Sequence, residues 1–339
     1  MDLKITIAIP TYKRLNYLQE AVASALAQTY NNIEVLISQD PTENGLDRSL
    51  QVWCHNLISQ DSRVRYRFNS SNLGLAGNWN ACVDAAQGEY IVIIGDDDRL
   101  LPNFVEALLS VANKNTSVIF SNHYLINSQG GRLVSESYQW TKTYHRNSIP
   151  TGKVDLSEKW VWRNSIPMSA SLIKTHDVKE LRFKEDLNTP EIELFLRIAQ
   201  KGSEFVFVPK YLLEYRVHEL SETTQGHKTD ILVDYLSSMS VSKIMKKHQQ
   251  RCISDYIIGL VHTYLLERNY TLVEKYFKHP YYPKWHNHKV KSLIQSCCLL
   301  LPFDLGSKIY ELVFLFRSNL RKFAKSRHYQ LFDRSSAVK

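Results

Sequence analysis

Cysteine is scarce in this chain, and what there is does not pair. The 339 residues carry five cysteines, none in a Cys-x-x-Cys spacing, and the adjacent Cys297 and Cys298 suit no zinc site. Reduced thiols are expected. No apolar run reaches the roughly 18 residues that a membrane-spanning helix needs. The nearest approach, 293–316, is interrupted by Pro302, Asp304, Lys308 and Glu311. A strand-like "KITIAI" at 4–9 leaves no room for a signal peptide, so a cytoplasmic protein is expected. Two nucleotide-binding signatures are also missing. There is no Gly-x-x-x-x-Gly-Lys-Ser/Thr loop and no Gly-x-Gly-x-x-Gly fingerprint. Internal repeats and low-complexity tracts are absent as well.

What is present is ordinary in bulk and uneven in place. Apolar content of 44% and charged content of 22% fit a soluble globular chain. The net charge is +8. Residues 230–339 hold 18 Lys and Arg against 8 Asp and Glu, a net of +10, which leaves residues 1–229 at −2. A basic back half argues for an anionic surface as its partner, here a peripheral contact with the inner face of a membrane. No nucleic-acid partner is expected.

The first 125 residues alternate between two periodicities. Strand patterns at 4–9, 33–38, 64–68, 89–94 and 117–122 are separated by helical ones. Leu15, Leu18, Val22 and Leu26 share one helical face, as do Leu46, Leu50, Trp53 and Leu57. A third helix is read at 75–86, ended by Gly88, and a fourth opens at Pro102. The run "EYIVII" is apolar throughout, as a strand buried on both faces should be. This rhythm predicts an α/β fold, an open and mostly parallel sheet with helices on both faces. Residues 123–188 read as irregular and aromatic, with a helix near 190–200 and a strand pair over 204–218. From about 228 the chain turns helical and basic. The expected division is a catalytic domain at 1–227, with halves at about 1–122 and 123–227, and a helical C-terminal region at 228–339.

In such sheets ligands bind outside the carboxyl ends of the strands. The continuous strand at 89–94 runs straight into Gly95 and three aspartates, Asp96, Asp97 and Asp98. Three like charges repel one another. They are tolerable as a solvated turn that caps the next helix, or as oxygen ligands for a hard cation. A Mg²⁺ or Mn²⁺ held there by one or two carboxylates would bridge a diphosphate.

Four ordered segments then carry a resemblance: "ITIAIPTYKR", "ALAQTYNNIEVLISQD", "NLGLAGNWNACVDAAQGEYIVIIGDDD" and "ELFLRIAQKG…VPKYLLEYRVH". Over roughly residues 3–225 the chain resembles the family 2 glycosyltransferases, with their GT-A fold for nucleotide-diphospho-sugars. The resemblance implies that Pro10 and Thr11, with Tyr12 and Arg14 in the same loop, line the donor pocket. It implies that Asp40 meets the base, uracil by preference, and that Asn72, Gly74 and Asn78 belong to the segment closing over the nucleotide. Asp96 would lie near the ribose, Asp97 and Asp98 at the metal, a divalent Mn²⁺ or Mg²⁺. Two departures stand out: Gly95 where the family often has Asp, and Gln39 before Asp40.

Sugar transfer with inversion also needs a base for the acceptor hydroxyl. The resemblance places it at Glu191, after Pro190, with Glu193 as the fallback. The other reading of Glu191 is a capping box, Asn188-x-x-Glu191. Arg216 and His218 lie two residues apart at a strand end and so share a face. By the resemblance they are a phosphate clamp and a metal ligand, followed by a flexible "ELSETTQGH". Aromatic residues at 138–162 suit either an acceptor platform or core packing. The segment 299–316 with the following "RSNLRKFAKSR" suits either a membrane interface or a packed helical subdomain with a solvated tail. The reading is a glycosyltransferase moving a sugar from a nucleotide diphosphate, UDP by preference, to a carbohydrate or lipid-linked acceptor. A sugar-phosphate nucleotidyltransferase and a non-catalytic nucleotide-sugar-binding protein are the alternatives. The first should show a Gly-rich loop after the first strand, and "IPTYKRLNYL" has none.

Overall fold

The computed structural model describes residues 3–218, 229–283 and 290–315. Strand and helix alternate at first: β1 (Ile5–Thr11), α1 (Leu15–Leu26), β2 (Ile33–Gln39), α2 (Arg48–Gln60), β3 (Val64–Phe68), α3 (Gly74–Ala85) and β4 (Tyr90–Ile93). After the aspartates come β5 (Arg99–Leu100), α4 (Phe104–Leu109), β6 (Thr116–Ile126), β7 (Arg132–Leu133) and α5 (Val134–Thr143). A 3₁₀ turn at Arg146–Ser148 leads to β8 (Gly152–Lys153), α6 (Ser157–Val161), β9 (Ser171–Lys174), α7 (Thr175–Leu181), α8 (Pro190–Gln200), β10 (Glu204–Arg216) and α9 (Thr229–Ser238).

One sheet organises these elements, in the order β3-β2-β1-β4-β9-β6-β10-β5. β1 pairs in parallel with β2 and β4, β2 with β3, and β6 with β10. β9 enters between β4 and β6, antiparallel to both. The sheet is thus mostly parallel and open, as the α/β rhythm predicts. Alternation along the strands sends Ile5, Ile7, Ile9, Val35, Ile37 and Val92 to one face, where they pack with Leu18 and Val22 of α1, Leu50 of α2 and Phe104 of α4. α3 packs on β1, β2 and β4 and on α7, outside that core cluster.

Three expectations change. Residues 123–188 are not irregular: they hold α5, α6, β9 and α7. β9 has four residues, too few for a period to show, and α5 is polar, burying only Ser137 and Thr141. The expected strand pair at 204–218 is one long strand, β10. It carries Pro209 at a register shift between Val208 and Tyr211, where a residue without an N–H is tolerated. Pro102 lies before α4 rather than in its first turn, and its carbonyl accepts the Thr29 N–H at 2.8 Å.

The described residues divide into two compact units between His248 and Gln249. α9 belongs to the first, with Leu232, Val233 and Leu236 buried. The second contains most of α10 (Lys246–Leu266), then α11 (Tyr270–Phe277), α12 (Val290–Leu299) and α13 (303–315). Its core includes Ile253, Ile257, Val261, Val273 and Tyr276. Tyr310 shares a hydrogen bond of 2.9 Å with His262 Nδ1. Leu300, Leu305 and Leu312 of this unit are exposed. Among the described residues no helix is long and apolar enough to cross a membrane.

Candidate active site

The site forms where β1 and β4, hydrogen-bonded side by side, both end. The Asp98 N–H donates to the Gly95 carbonyl at 3.1 Å, folding the three aspartates into a turn. A Cβ on Gly95, the glycine that departs from the resemblance, would lie 2.6 Å from Asp97 Oδ1 and 3.2 Å from Asp98 Oδ2, so a side chain there would displace those carboxylates.

Each aspartate faces a different partner. Asp96 is buried and points at the loop after β1. Its Oδ2 accepts from the Thr11 hydroxyl at 2.7 Å and from the Tyr12 N–H at 3.4 Å, and its Oδ1 lies 2.8 Å from Arg14 Nη2. Burial pushes its pKa up to about 6, against the pull of the Arg14 guanidinium. Asp97 Oδ2 lies 2.9 Å from Arg14 Nη1 and 2.8 Å from His218 Nε2. Asp98 turns inward. Its Oδ1 accepts the Arg216 N–H at 3.0 Å, and the Ser169 hydroxyl bonds the same carboxylate. Burial and the neighbouring Asp97 charge hold its pKa well above the usual carboxylate range. Asp98, expected at the metal, ties the turn to β10 in this arrangement.

Arg216, expected as a phosphate clamp, is held by the protein. Its side chain is fully buried. Nε donates to the Asp97 carbonyl at 2.8 Å, Nη1 to the Ser128 carbonyl at 3.0 Å, and Nη2 to Glu20 at 2.6 Å. Its donors go to the protein, and it holds the aspartate turn from behind. Tyr17 lies between the two residues that were read as a pair. The Arg216 guanidinium sits 4.6 Å from its ring centre, and His218 stacks on it at 5.5 Å. Sequence reasoning missed Tyr17, Glu20 and Ser169. Tyr17 and Glu20 are three apart on α1, so they share a helical face directly after the "PTYKR" loop; that spacing was the available signal.

The base end of the site is built on β2 and α3. Asp40 is buried; Oδ1 accepts from Asn69 at 2.8 Å and Oδ2 from the Leu73 N–H at 3.2 Å. Burial raises its pKa, opposed by those hydrogen bonds. Asn72 Oδ1 accepts the Gly74 N–H at 2.9 Å, and Gly74 opens α3 at φ +69°. Asn78 is buried beneath Asp40: Oδ1 accepts from Asn69 and Nδ2 donates to the Ser38 carbonyl. Its side chain is thus tied to Asn69 and to the end of β2. Pro10 pairs with Ser38 in the β1–β2 register. Tyr12 and Lys13 both bond Glu43, tying the loop after β1 to the loop after β2.

Glu191 stands in the first turn of α8. α8 starts at Pro190 with Thr189 at its N-cap, one residue later than the Asn188–Glu191 box requires, and the cap has no side-chain bond. Glu191 is half-buried, and desolvation pushes its pKa up to about 7. Its charge is felt by Tyr144. Glu193, the fallback, is buried in a bidentate pair with Arg197 at 2.6 and 2.7 Å. Residues 219–228, with the "ELSETTQGH" segment, lie outside the described residues, as does "RSNLRKFAKSR".

Could this site take a metal? Among the described residues no group of three or more His, Cys, Asp or Glu side chains is placed to hold one. Asp97 and His218 offer an oxygen and a nitrogen donor within 2.8 Å of each other. That is a partial set, which fits a cation whose remaining ligands come from a diphosphate and water.

Comparison with known proteins bears on this arrangement. Residues 6–171 match the model of Glycosyl transferase family 2. Glycosyltransferase GlyG of Streptococcus pneumoniae is 34% identical over 221 residues, 64% of this chain and 71% of GlyG. The GalNAc(5)-diNAcBac-PP-undecaprenol beta-1,3-glucosyltransferase of Campylobacter jejuni is 25% identical over 285 residues, 81% of this chain and 87% of that enzyme. Among solved structures, S. aureus TarS 1–349 in complex with UDP-GlcNAc matches with a TM-score of 0.59 at 14% identity, over 81% of this chain and 79% of that one. The mannosyltransferase PcManGT of Pyrobaculum calidifontis, in complex with GDP-Man and Mn²⁺, matches with a TM-score of 0.52 at 12% identity, over 91% and 87%. The chain belongs to glycosyltransferase family 2 and is a glycosyltransferase of nucleotide-sugar donors.

Proposed function

We propose that the enzyme transfers its sugar from a UDP donor with inversion, with the help of a divalent cation, to a carbohydrate or lipid-linked acceptor. The observation that carries this reading is the meeting of Asp97, His218 and Arg14 at the carboxyl end of β4. Asp97 and His218 would hold the cation, which when bound would neutralise charge on the departing diphosphate. Arg14 is one-third exposed and already bridges Asp96 and Asp97. An incoming diphosphate could share that guanidinium, which suits bidentate phosphate contact. Thr11, Tyr12 and the Asn72–Gly74 turn would line the nucleotide, with Asp40 accepting from the uracil N–H. Asp96 would stand near the ribose. Glu191 would take the acceptor hydroxyl's proton, and a pKa of about 7 suits a general base at neutral pH.

The halves of the catalytic domain would divide this labour, donor over about 1–122 and acceptor over about 123–227. The Campylobacter jejuni relative is named for an undecaprenol-linked substrate. Together with the net +10 of residues 230–339, this supports a peripheral place on an anionic membrane face. Cosedimentation with anionic but not neutral vesicles, weakening with salt, is the expected behaviour. Equal binding to both removes the membrane reading.

The donor reading is tested by calorimetric titration of UDP, GDP and ADP with and without Mn²⁺. UDP binds tightest, and Mn²⁺ strengthens it. Asp97→Ala abolishes the Mn²⁺ effect, and Asp40→Ala weakens UDP. Equal affinity for the three nucleotides defeats the uracil assignment. Full metal dependence in Asp97→Ala defeats the metal assignment.

A further inference from the structure

A cleft opens between α5 and β10. Its volume is about 420 Å³, inside the roughly 300–1,000 Å³ typical of small-molecule sites. Its wall is made by one face of α5. Ser135, Tyr138, Gln139 and Lys142 recur at helical spacing and all are exposed. Tyr211 of β10 and Asn147 complete it.

The aromatic groups here are held as a platform. The Tyr211 ring stacks on Tyr124 at 4.7 Å, and its hydroxyl shares a hydrogen bond of 2.9 Å with Thr141. Arg132 covers Tyr124 at 4.6 Å. Tyr138 meets Tyr211 edge to face at 5.4 Å yet keeps 50% of its surface open. A tyrosine needed only for packing would be covered; this one presents an apolar face to solvent at the mouth of a cavity. Around it stand amide and hydroxyl groups, and Lys142 is the one charged side chain of the lining.

We infer that this cleft binds carbohydrate. A sugar ring has apolar C–H faces that lie on an aromatic face and a rim of hydroxyls that need short-range donors and acceptors. Tyr138 and Tyr211 supply the first, Gln139, Asn147 and Thr141 the second. A phosphorylated ligand would call for more positive charge than one lysine. Tyr144 caps α5 and feels the Glu191 charge, so the C-terminal end of the helix that walls the cleft lies within electrostatic reach of the proposed base. The cleft would hold sugar units of the acceptor beyond the reacting one. This last step rests on the acceptor reading given above; sugar binding itself does not.

The test is direct binding of the labelled full-length protein to a printed array of oligosaccharides. UDP titration is run on the same preparations. The wild-type protein retains a set of glycans. Tyr138→Ala loses them by at least about tenfold, and Tyr138→Phe keeps them, because the ring face is preserved. Tyr138 is exposed enough for truncation to leave the fold intact, which circular dichroism checks, and Lys142→Ala serves as a second variant with an unchanged platform. An array with no bound glycan, or retention in Tyr138→Ala equal to wild type, overturns the inference. If UDP still binds in that case, only the cleft falls. If glycans bind but UDP does not, the cleft stands and the donor reading falls.

Discussion

The aspartate turn and the surroundings of Glu191 both bury carboxylates, and they differ in what opposes the burial. At the turn every carboxylate is answered. Arg14 faces Asp96 and Asp97, and the Arg216 N–H and Ser169 hydroxyl face Asp98. At Glu191 the main influence is loss of water, opposed only by its own backbone N–H. Burial raises the pKa of Asp96 and Asp98 too, but there the Arg14 guanidinium and hydrogen bonds oppose it, and a charge so partnered can be handed from one partner to another. A desolvated carboxylate is a stronger base and is costly to keep ionised. The first arrangement fits a place where a charged ligand exchanges with protein partners, the second a place where a proton is taken.

The comparison breaks most visibly at Glu191. Glu191→Gln keeps the shape and removes the basic lone pair, so transfer should fall by roughly 10²–10⁴ while UDP affinity is unchanged. A radiolabelled transfer assay beside calorimetry reads both. Stability should move the other way. The folded-state pKa of about 7 lies above the ordinary 4.5, so the folded state binds the proton more tightly. Stability is then fully present below the ordinary value and is lost as pH rises towards the folded one. Relative to wild type, Glu191→Gln should gain stability between about pH 5 and 8, by at most ~3 kcal/mol for a shift of this size. A wild-type transfer rate in the variant moves the base elsewhere.

The next effect comes from the turn itself. Arg216→Met should keep apolar bulk and strip donors from the carbonyls of Asp97 and Ser128 and from Glu20. Glu20 is 43% exposed and would return to solvent, so the cost is that of hydrogen bonds to a charged group, about 1.5–3 kcal/mol. The urea midpoint should fall accordingly, with m unchanged. Unaltered stability with weakened UDP binding would restore the phosphate clamp and undo the contrast drawn here.

The legible parts of the molecule are those written in local pattern. Periods of two and 3.6 placed β1 to β4 and α1 to α3, and the ordered motifs led to the loop of Thr11, Tyr12 and Arg14 and to the aspartates with His218. What did not show was set by direction and by distant neighbours. Arg216 and His218 were expected to share a strand face, but β10 ends at Arg216 and both side chains meet the Tyr17 ring of α1, a distant neighbour that the spacing does not show. Asp98 follows Asp97 directly but turns towards Ser169, some seventy residues later in the chain. β9 is four residues long and exists because β4 and β6 leave a place between them. A side chain at Gly95 would push against the Asp97 and Asp98 carboxylates, a crowding that the linear order of residues does not show.

The smallest effect is also the sharpest control on the contrast. Glu193 lies two residues beyond Glu191 on the same helix, and its carboxylate is fully answered. Both oxygens pair with Arg197, which also donates to the Leu181 and Arg182 carbonyls at 2.6 Å. The pair therefore fastens α8 to the end of α7. Glu193→Gln keeps one acceptor oxygen and loses the charge, so a cost of about 1–3 kcal/mol is expected. Transfer and UDP affinity should stay at wild-type values at temperatures where the variant is folded. The thermal midpoint and the transfer rate, measured on one preparation, separate the two glutamates. If Glu193→Gln loses transfer at full stability, answered charge on α8 also takes part in proton removal. The division between partnered and desolvated carboxylates would then not mark the catalytic one.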